Sequence, residues 1–329
     1  MNLRILSSTD VVKALPMAEA IAAMKDAFAQ LSAGEATVPL RPKIEVAAHA
    51  GVSLFMPAYL AGKGDLAIKV VSVFSNNPKR NLPLIHAVVL VLESDTGRPL
   101  ALLEGGAVTA IRTGAGAGAA TDLLARPESS ITAIFGAGVQ ARTQLEAVCT
   151  VRKIKRVLIY DKSTDRAQRM AEEMAGKGPI PSDIRVAQSP PEAIAEADIV
   201  STATTSTTPV FDGHDLRPGT HVNAIGAYLP EMQEIDVETI RRALVVVDSR
   251  ESALNEPGDI IIPLKSGAIS ESHIHAELGE IVAGKRPGRA NPDQITFFKS
   301  CGTAVQDAAA ARVALQNAER LNLGTTVAL

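Results

Sequence analysis

A chain of 329 residues has room for two domains, and 46% hydrophobic against 21% charged residues is ordinary globular composition with material for a sizeable core. A formal net charge of −3 argues against nucleic acid, whose phosphate backbone calls for a basic face. Two cysteines, Cys149 and Cys301, supply no disulfide framework and fit a reducing compartment. The opening MNLRILSSTDVVKAL lacks the apolar core and cleavage site of a secretory signal, and no apolar run approaches the ~20 residues that span a bilayer, so the expectation is a cytoplasmic protein without a membrane partner.

Ser8-Thr9-Asp10 offers helix-capping side chains, and Met17 to Leu31 repeats apolar residues at helical spacing up to Gly34. From Val38 to Leu103 short β-rich runs, Lys43–Val46, Ser53–Met56, Leu66–Phe74 and His86–Leu92, alternate with turn signals and predict an antiparallel meander. Ala107 to Ala125 is rich in Gly and Ala and reads as a helix with a small-residue face. Then the rhythm changes. The runs at 131–135, 156–160, 184–187, 198–203, 221–225 and 244–247 are short, apolar and β-branched, with helix-length stretches between most of them. Apolar strands without strict alternation are what a parallel sheet covered on both faces requires. A last Ala-rich helix, Ala304 to Leu323, leads to a short apolar tail. The fold class is therefore α/β: a Rossmann-type, doubly wound parallel sheet over residues 121–304, and a second α+β domain with an antiparallel sheet, made of residues 1–120 with 305–329.

Gly136-Ala137-Gly138-Val139-Gln140-Ala141 follows the first parallel strand and opens a helix. The first glycine makes the tight turn, the second lets backbone reach a pyrophosphate, and Ala141 stands in for the third as a small helix–strand contact. Asp161 ends the next strand about where a dinucleotide-binding fold places the carboxylate that meets the adenosine ribose and repels a 2′-phosphate. Lys162 and Arg166 beside it soften that repulsion, so NAD(H) is favoured and NADP(H) remains open. An aspartate that only caps the following turn is the plainer alternative. Ala203-Thr204-Thr205-Ser206 follows another strand at the edge where ligands bind, and its backbone is expected near the ribose and nicotinamide. His273, His275 and Glu277 read as an exposed turn, with no metal site, and His86 as a core or cleft histidine.

The segments MPAYL (56–60), LAIKVV (66–71), LEGGAVTAIRTGAGAGAATDLLA (103–125), IFGAGVQARTQ (134–144), HVNAIGAYLPEMQEID (221–236), EPGDI (256–260), ELGEIVAG (277–284) and ITFFKSCGTAVQD (295–307) resemble the ornithine cyclodeaminase/mu-crystallin superfamily, in the family's order and over nearly the full length. The resemblance implies a first domain that forms a homodimer through its sheet, and an active site in the cleft beside the Rossmann domain. It assigns Lys69 as the active-site lysine, and Arg41 and Arg112 to the substrate carboxylate, a role that suits arginine's planar fork. It also carries Arg112 and Thr113 toward cofactor phosphate, and Lys299 and Ser300 toward the nicotinamide. The alternative for Lys69 is an edge-strand or snorkelling lysine.

Departures from the pattern select among the family's activities. Cyclodeaminases and the alanine dehydrogenases carry an aspartate where this chain has Tyr228, and cyclodeaminases a glutamate that aligns with Leu54. The tyrosine version, followed by Pro230-Glu231-Met232 and Glu234, looks more like ketimine reductases acting on Δ1-pyrroline-2-carboxylate or Δ1-piperideine-2-carboxylate. Such an oxidoreductase passes a hydride from the nicotinamide to the imine carbon and yields a cyclic L-amino acid such as L-proline. Tyr228 is a candidate proton donor. Ornithine cyclodeaminase, alanine dehydrogenase, hydroxyproline dehydratase and a mu-crystallin-like binding protein are the competing readings.

Overall fold

The computed structural model describes residues 2–39 and 42–329, so Arg41 lies outside the described residues. The chain begins with β1 (Asn2–Leu6), α1 (Ser8–Ala14) and α2 (Met17–Ser32). Ser7 caps α1, where Ser8-Thr9-Asp10 was expected to do so: the Ser7 hydroxyl oxygen accepts from Asp10 N, and the Asp10 carboxylate accepts from Ser7 N. There follow β2 (Ala36–Thr37), β3 (Lys43–Val46), β4 (Gly51–Leu60), β5 (Asp65–Phe74), β6 (Ile85–Leu92), β7 (Pro99–Glu104) and α3 (Gly105–Leu124). The glycines and alanines of α3 are nearly all buried, which is why the helix needs small residues. The chain divides into two units inside α3, one of Met1–Arg112 with Thr303–Leu329 and one of Thr113–Gly302. The composition shift near residue 120 is thus spanned by a continuous helix, with no linker there.

The second unit runs β8 (Ile131–Phe135), α4 (Val139–Val151), β9 (Arg156–Tyr160), α5 (Thr164–Met174), β10 (Ile184–Val186), α6 (Pro190–Ile194), β11 (Ile199–Thr202) and β12 (His221–Ala224). It continues through α7 (Val237–Arg242), β13 (Leu244–Val247), α8 (Arg250–Asn255), α9 (Gly258–Lys265), β14 (Ile274–Glu277), α10 (Leu278–Val282) and β15 (Thr296–Lys299). Its eight strands lie in the order β10-β9-β8-β11-β12-β15-β13-β14, and every pair is parallel. Successive residues enter opposite cores: Ile134, Val157 and Ile159 join one apolar cluster, Phe135, Leu158 and Val200 the other. Burial on both faces explains the apolar runs. The strand order reverses at the β8/β11 pair, where such sheets open a crevice at their carboxyl edge.

The chain then returns to the first unit as α11 (Ala304–Arg320) and β16 (Thr325–Ala328). The first sheet has the order β16-β1-β7-β6-β5-β4-β2, with β3 also on β4. Its meander is antiparallel as predicted, but β1 and β7 pair in parallel, so the sheet is mixed. No hairpin joins those two strands, and the long chain between them leaves their direction free. The apolar tail is an edge strand on β1. Helix α11 packs on α1 and α2 and on β4, β5 and β6.

Candidate active site

Parallel strands ending in register decide what reaches the crevice of the second unit. Phe135 lies beside Tyr160 on β9 and beside Thr202 on β11, so Gly136, Asp161 and Ala203 leave the sheet together. Gly136 has φ +100, and a Cβ there would stand 2.6 Å from Ala203 O, so the first glycine is required both by its backbone and by its neighbour. Together these segments line a cavity of about 410 Å³ that includes Gly138, Lys162, Arg166, Thr204, Thr205 and Ser206. At α4 the first N–H groups, including those of Val139 and Gln140, have no intrahelical partner and form an anion-binding end. Neither of those side chains lines the cavity.

Asp161 takes the plainer of the roles weighed for it, the cap of the following turn, and adds one not foreseen. It lines the cavity, yet its Oδ1 accepts from Ser163 N at 2.8 Å and from Arg166 Nη2 at 2.8 Å, and its Oδ2 accepts from Ala137 N at 2.9 Å. The carboxylate therefore pins the glycine-rich loop as well as capping the turn behind it. Arg142, which the sequence reading passed over, closes the loop from the other side. Its Nη1 donates to Ala137 O at 2.8 Å and Gly138 O at 3.1 Å, while Glu173 accepts its Nη2.

Behind the loop at Thr204 sits a buried carboxylate. Glu234 Oε1 accepts from Thr204 N at 2.6 Å, and Oε2 accepts from Thr202 Oγ1 at 2.9 Å and Gly226 N at 2.6 Å. Gly226 fits because a Cβ there would meet Thr204 O at 2.1 Å. Asp259 in turn accepts from Glu234 N, Ile235 N and Lys299 Nζ, the last at 2.9 Å. Burial, and then the neighbouring Asp259, push the Glu234 carboxyl above its ordinary range. Lys299 was expected to touch the cofactor, but its side chain is 0% exposed and committed to Asp259. Ser300 likewise turns inward, its hydroxyl donating to the buried Asp248 at 2.8 Å. Both are corrections: a charge at the end of an apolar parallel strand is kept by an internal counterion, since ionised groups are costly to bury alone.

In the first unit Lys69 is 2% exposed at the centre of β5, flanked by β4 and β6, which removes the edge-strand alternative. Its Nζ lies 2.7 Å from Asp307 Oδ2 and 3.5 Å from Thr109 Oγ1. Arg112 donates from Nε to Asp307 Oδ1 at 3.1 Å and from Nη1 to Gln306 Oε1 at 2.8 Å. The structure thus brings two of the predicted cations onto one carboxylate that the sequence reading did not single out. A model of the ornithine cyclodeaminase/mu-crystallin family matches residues 1–322. The chain belongs to that family.

It is similar to a Delta(1)-pyrroline-2-carboxylate reductase of Bacillus cereus, 38% identical over 98% of this chain and 99% of that protein. The ketimine reductase mu-crystallin of Mus musculus is 38% identical over 84% of this chain and 83% of its own. Among solved structures, Thermococcus litoralis Delta(1)-pyrroline-2-carboxylate reductase in complex with NADH and L-proline matches with a TM-score of 0.93 at 48% identity, covering 99% of this chain and 100% of that one.

The remaining family positions are placed as follows. Thr113 is buried, its carbonyl accepting from Gln144 Nε2 at 3.3 Å. Tyr228, two residues beyond Gly226, is 48% exposed. Leu54 is half-buried on β4, opposite Val71. His86 is exposed on β6, contrary to expectation, while the Nε2 atoms of His273 and His275 donate to the carbonyls of Ile240 and Pro287. No cluster suited to a metal ion occurs among the described residues, and no described helix is long and apolar enough to cross a membrane.

Proposed function

We propose that this protein is an NAD(H)-dependent reductase of Δ1-pyrroline-2-carboxylate that produces L-proline. The observation that carries this reading is the near-complete match, at 48% identity, to a reductase of that name bound to NADH and L-proline. The cavity at the Gly136 loop supports a dinucleotide in the second unit. When bound, the cofactor supplies a hydride from nicotinamide C4 to the imine carbon, and the ring nitrogen takes a proton. Arg112 and Arg41 hold the substrate carboxylate. Lys69 orients that carboxylate or governs the proton on the imine nitrogen, and Tyr228 is the weaker candidate for proton donation. With Asp161 at the cavity, NADH is the preferred reductant and NADPH the poorer one.

The six-membered ketimine is a second substrate of the same site, favoured by the likeness to a ketimine reductase. The protein acts as a cytoplasmic homodimer. Exposed Ile44, Leu82, Leu84 and Ile85 of the first unit are apolar surface that a second copy would cover. Light scattering of the purified protein reads the dimer directly.

The deciding assay follows nicotinamide absorbance with NADH and Δ1-pyrroline-2-carboxylate, and ammonia release from L-ornithine beside it. Reductase turnover of about 1 per second or more, with no ammonia, is expected. Ammonia from ornithine without ring reduction would make the protein a cyclodeaminase despite Tyr228 and Leu54.

A further inference from the structure

Lys69 and Arg112 share a counterion. Asp307, on the first turn of α11, takes Lys69 Nζ at 2.7 Å on one oxygen and Arg112 Nε at 3.1 Å on the other. All three side chains are buried, at 2%, 7% and 1% exposure. Gln306 beside it accepts from Arg112 Nη1 and also from Thr303 N, so it is itself held by the helix cap. A second ion pair, Arg312 with Asp65 at 2.8 Å, ties α11 to the first residue of the same strand. Asp65, Ala67 and Lys69 share the buried face of β5 by simple alternation. Asp307 is therefore fixed from both sides and has little freedom to move.

We propose that Asp307 is a positioning residue for ring reduction that works through Lys69. The proposal rests on the reading of Lys69 given above. Two buried cations repel each other, and a shared carboxylate both holds them in one arrangement and cancels one of their charges. Lys69, Arg112 and Asp307 then carry one net positive charge (+1 +1 −1), to which Arg41 adds its own where the substrate carboxylate binds. Replacing Asp307 by asparagine raises that charge to two while removing the anchor of the ammonium. Anion affinity and turnover are thereby driven in opposite directions: binding of a carboxylate tightens or holds, and kcat falls because the ammonium is displaced. General damage to the fold would weaken both.

The test is a cycle of Asp307→Asn, Lys69→Met and the double variant in the full-length protein. It reads kcat with NADH and Δ1-pyrroline-2-carboxylate, and Kd for the unreactive pyrrole-2-carboxylate. Expected are a loss of at least ~10-fold in kcat for Asp307→Asn, since small displacements of a reacting group are this costly, a Kd unchanged or lower, and a double variant no slower than Lys69→Met. Should Asp307→Asn fail to accumulate folded, Asp307→Glu keeps the charge but shifts it by one methylene, and the same kcat loss at unchanged Kd is expected. Multiplicative losses in the cycle, or a normal kcat for Asp307→Asn or Asp307→Glu, overturn the proposal while leaving Lys69 in its role. Near-normal turnover by Lys69→Met overturns both.

Discussion

Glu234 and Thr204 are joined by a 2.6 Å hydrogen bond in which the buried carboxylate accepts the backbone N–H of the loop after β11. The other oxygen of Glu234 takes Thr202 Oγ1 and Gly226 N, so one side chain sets both the loop that lines the cavity and the segment leading to Tyr228. Glu234→Gln must point an amide N–H at a backbone N–H donor on one side, and an unmet buried hydrogen bond costs about 1–3 kcal/mol. KM for NADH should rise ~10-fold, the equivalent of about 1.4 kcal/mol, with a smaller change in KM for the imino acid. Steady-state kinetics with each substrate varied in turn checks it, and equal effects on both KM values would assign Glu234 to general stability only.

The Asp161 carboxylate, proposed to set the preference for NADH, is shared among three partners of its own. Because Ala137 N, Ser163 N and Arg166 all engage the carboxylate, removing it frees Arg166 and weakens the loop at once. Asp161→Ser should lower kcat/KM for NADH and narrow or reverse its advantage over NADPH, since the released guanidinium suits a 2′-phosphate. Equal use of the two reductants by the unsubstituted protein would remove Asp161 as the discriminator.

Glu146 on α4 offers a pH-dependent stability test away from both groups of site residues. Burial raises its carboxyl above the ordinary value. A carboxyl with a raised folded-state value destabilises the native protein at neutral pH, and the penalty disappears as pH falls through that value toward the unfolded one. Glu146→Gln should therefore raise Tm at pH ~7, with the gain fading toward pH ~4, near the unfolded carboxyl. Thermal melts of both proteins across that range measure it; a gain that grows on acidification would reverse the assigned sign.

Much of this fold is written locally. The parallel strands of the second unit are apolar runs because both their faces are covered, and Gly136 marks a turn that its positive φ reserves for glycine, so residues close in sequence carry the evidence for the dinucleotide cavity. The meander from β3 to β6 is equally legible, through alternation and turn residues. Less legible are β1, β7 and β16, since a short strand is defined by its partner more than by its own residues.

Charge pairing is what the sequence leaves undetermined. Lys69 stands out as a cation inside an apolar strand, but its counterion lies 238 positions further along the chain, and only the packing of α11 on β5 brings Asp307 to it. Lys299 shows the reverse case. The family resemblance carries it toward the nicotinamide, whereas its side chain is fully buried against Asp259. The sequence alone determined the kind of fold and the dinucleotide loop, because backbone geometry and burial periodicity are local. The tertiary structure decided which charges are internal struts and which share a carboxylate, because the cost of burying an ion is met by whichever partner the fold delivers.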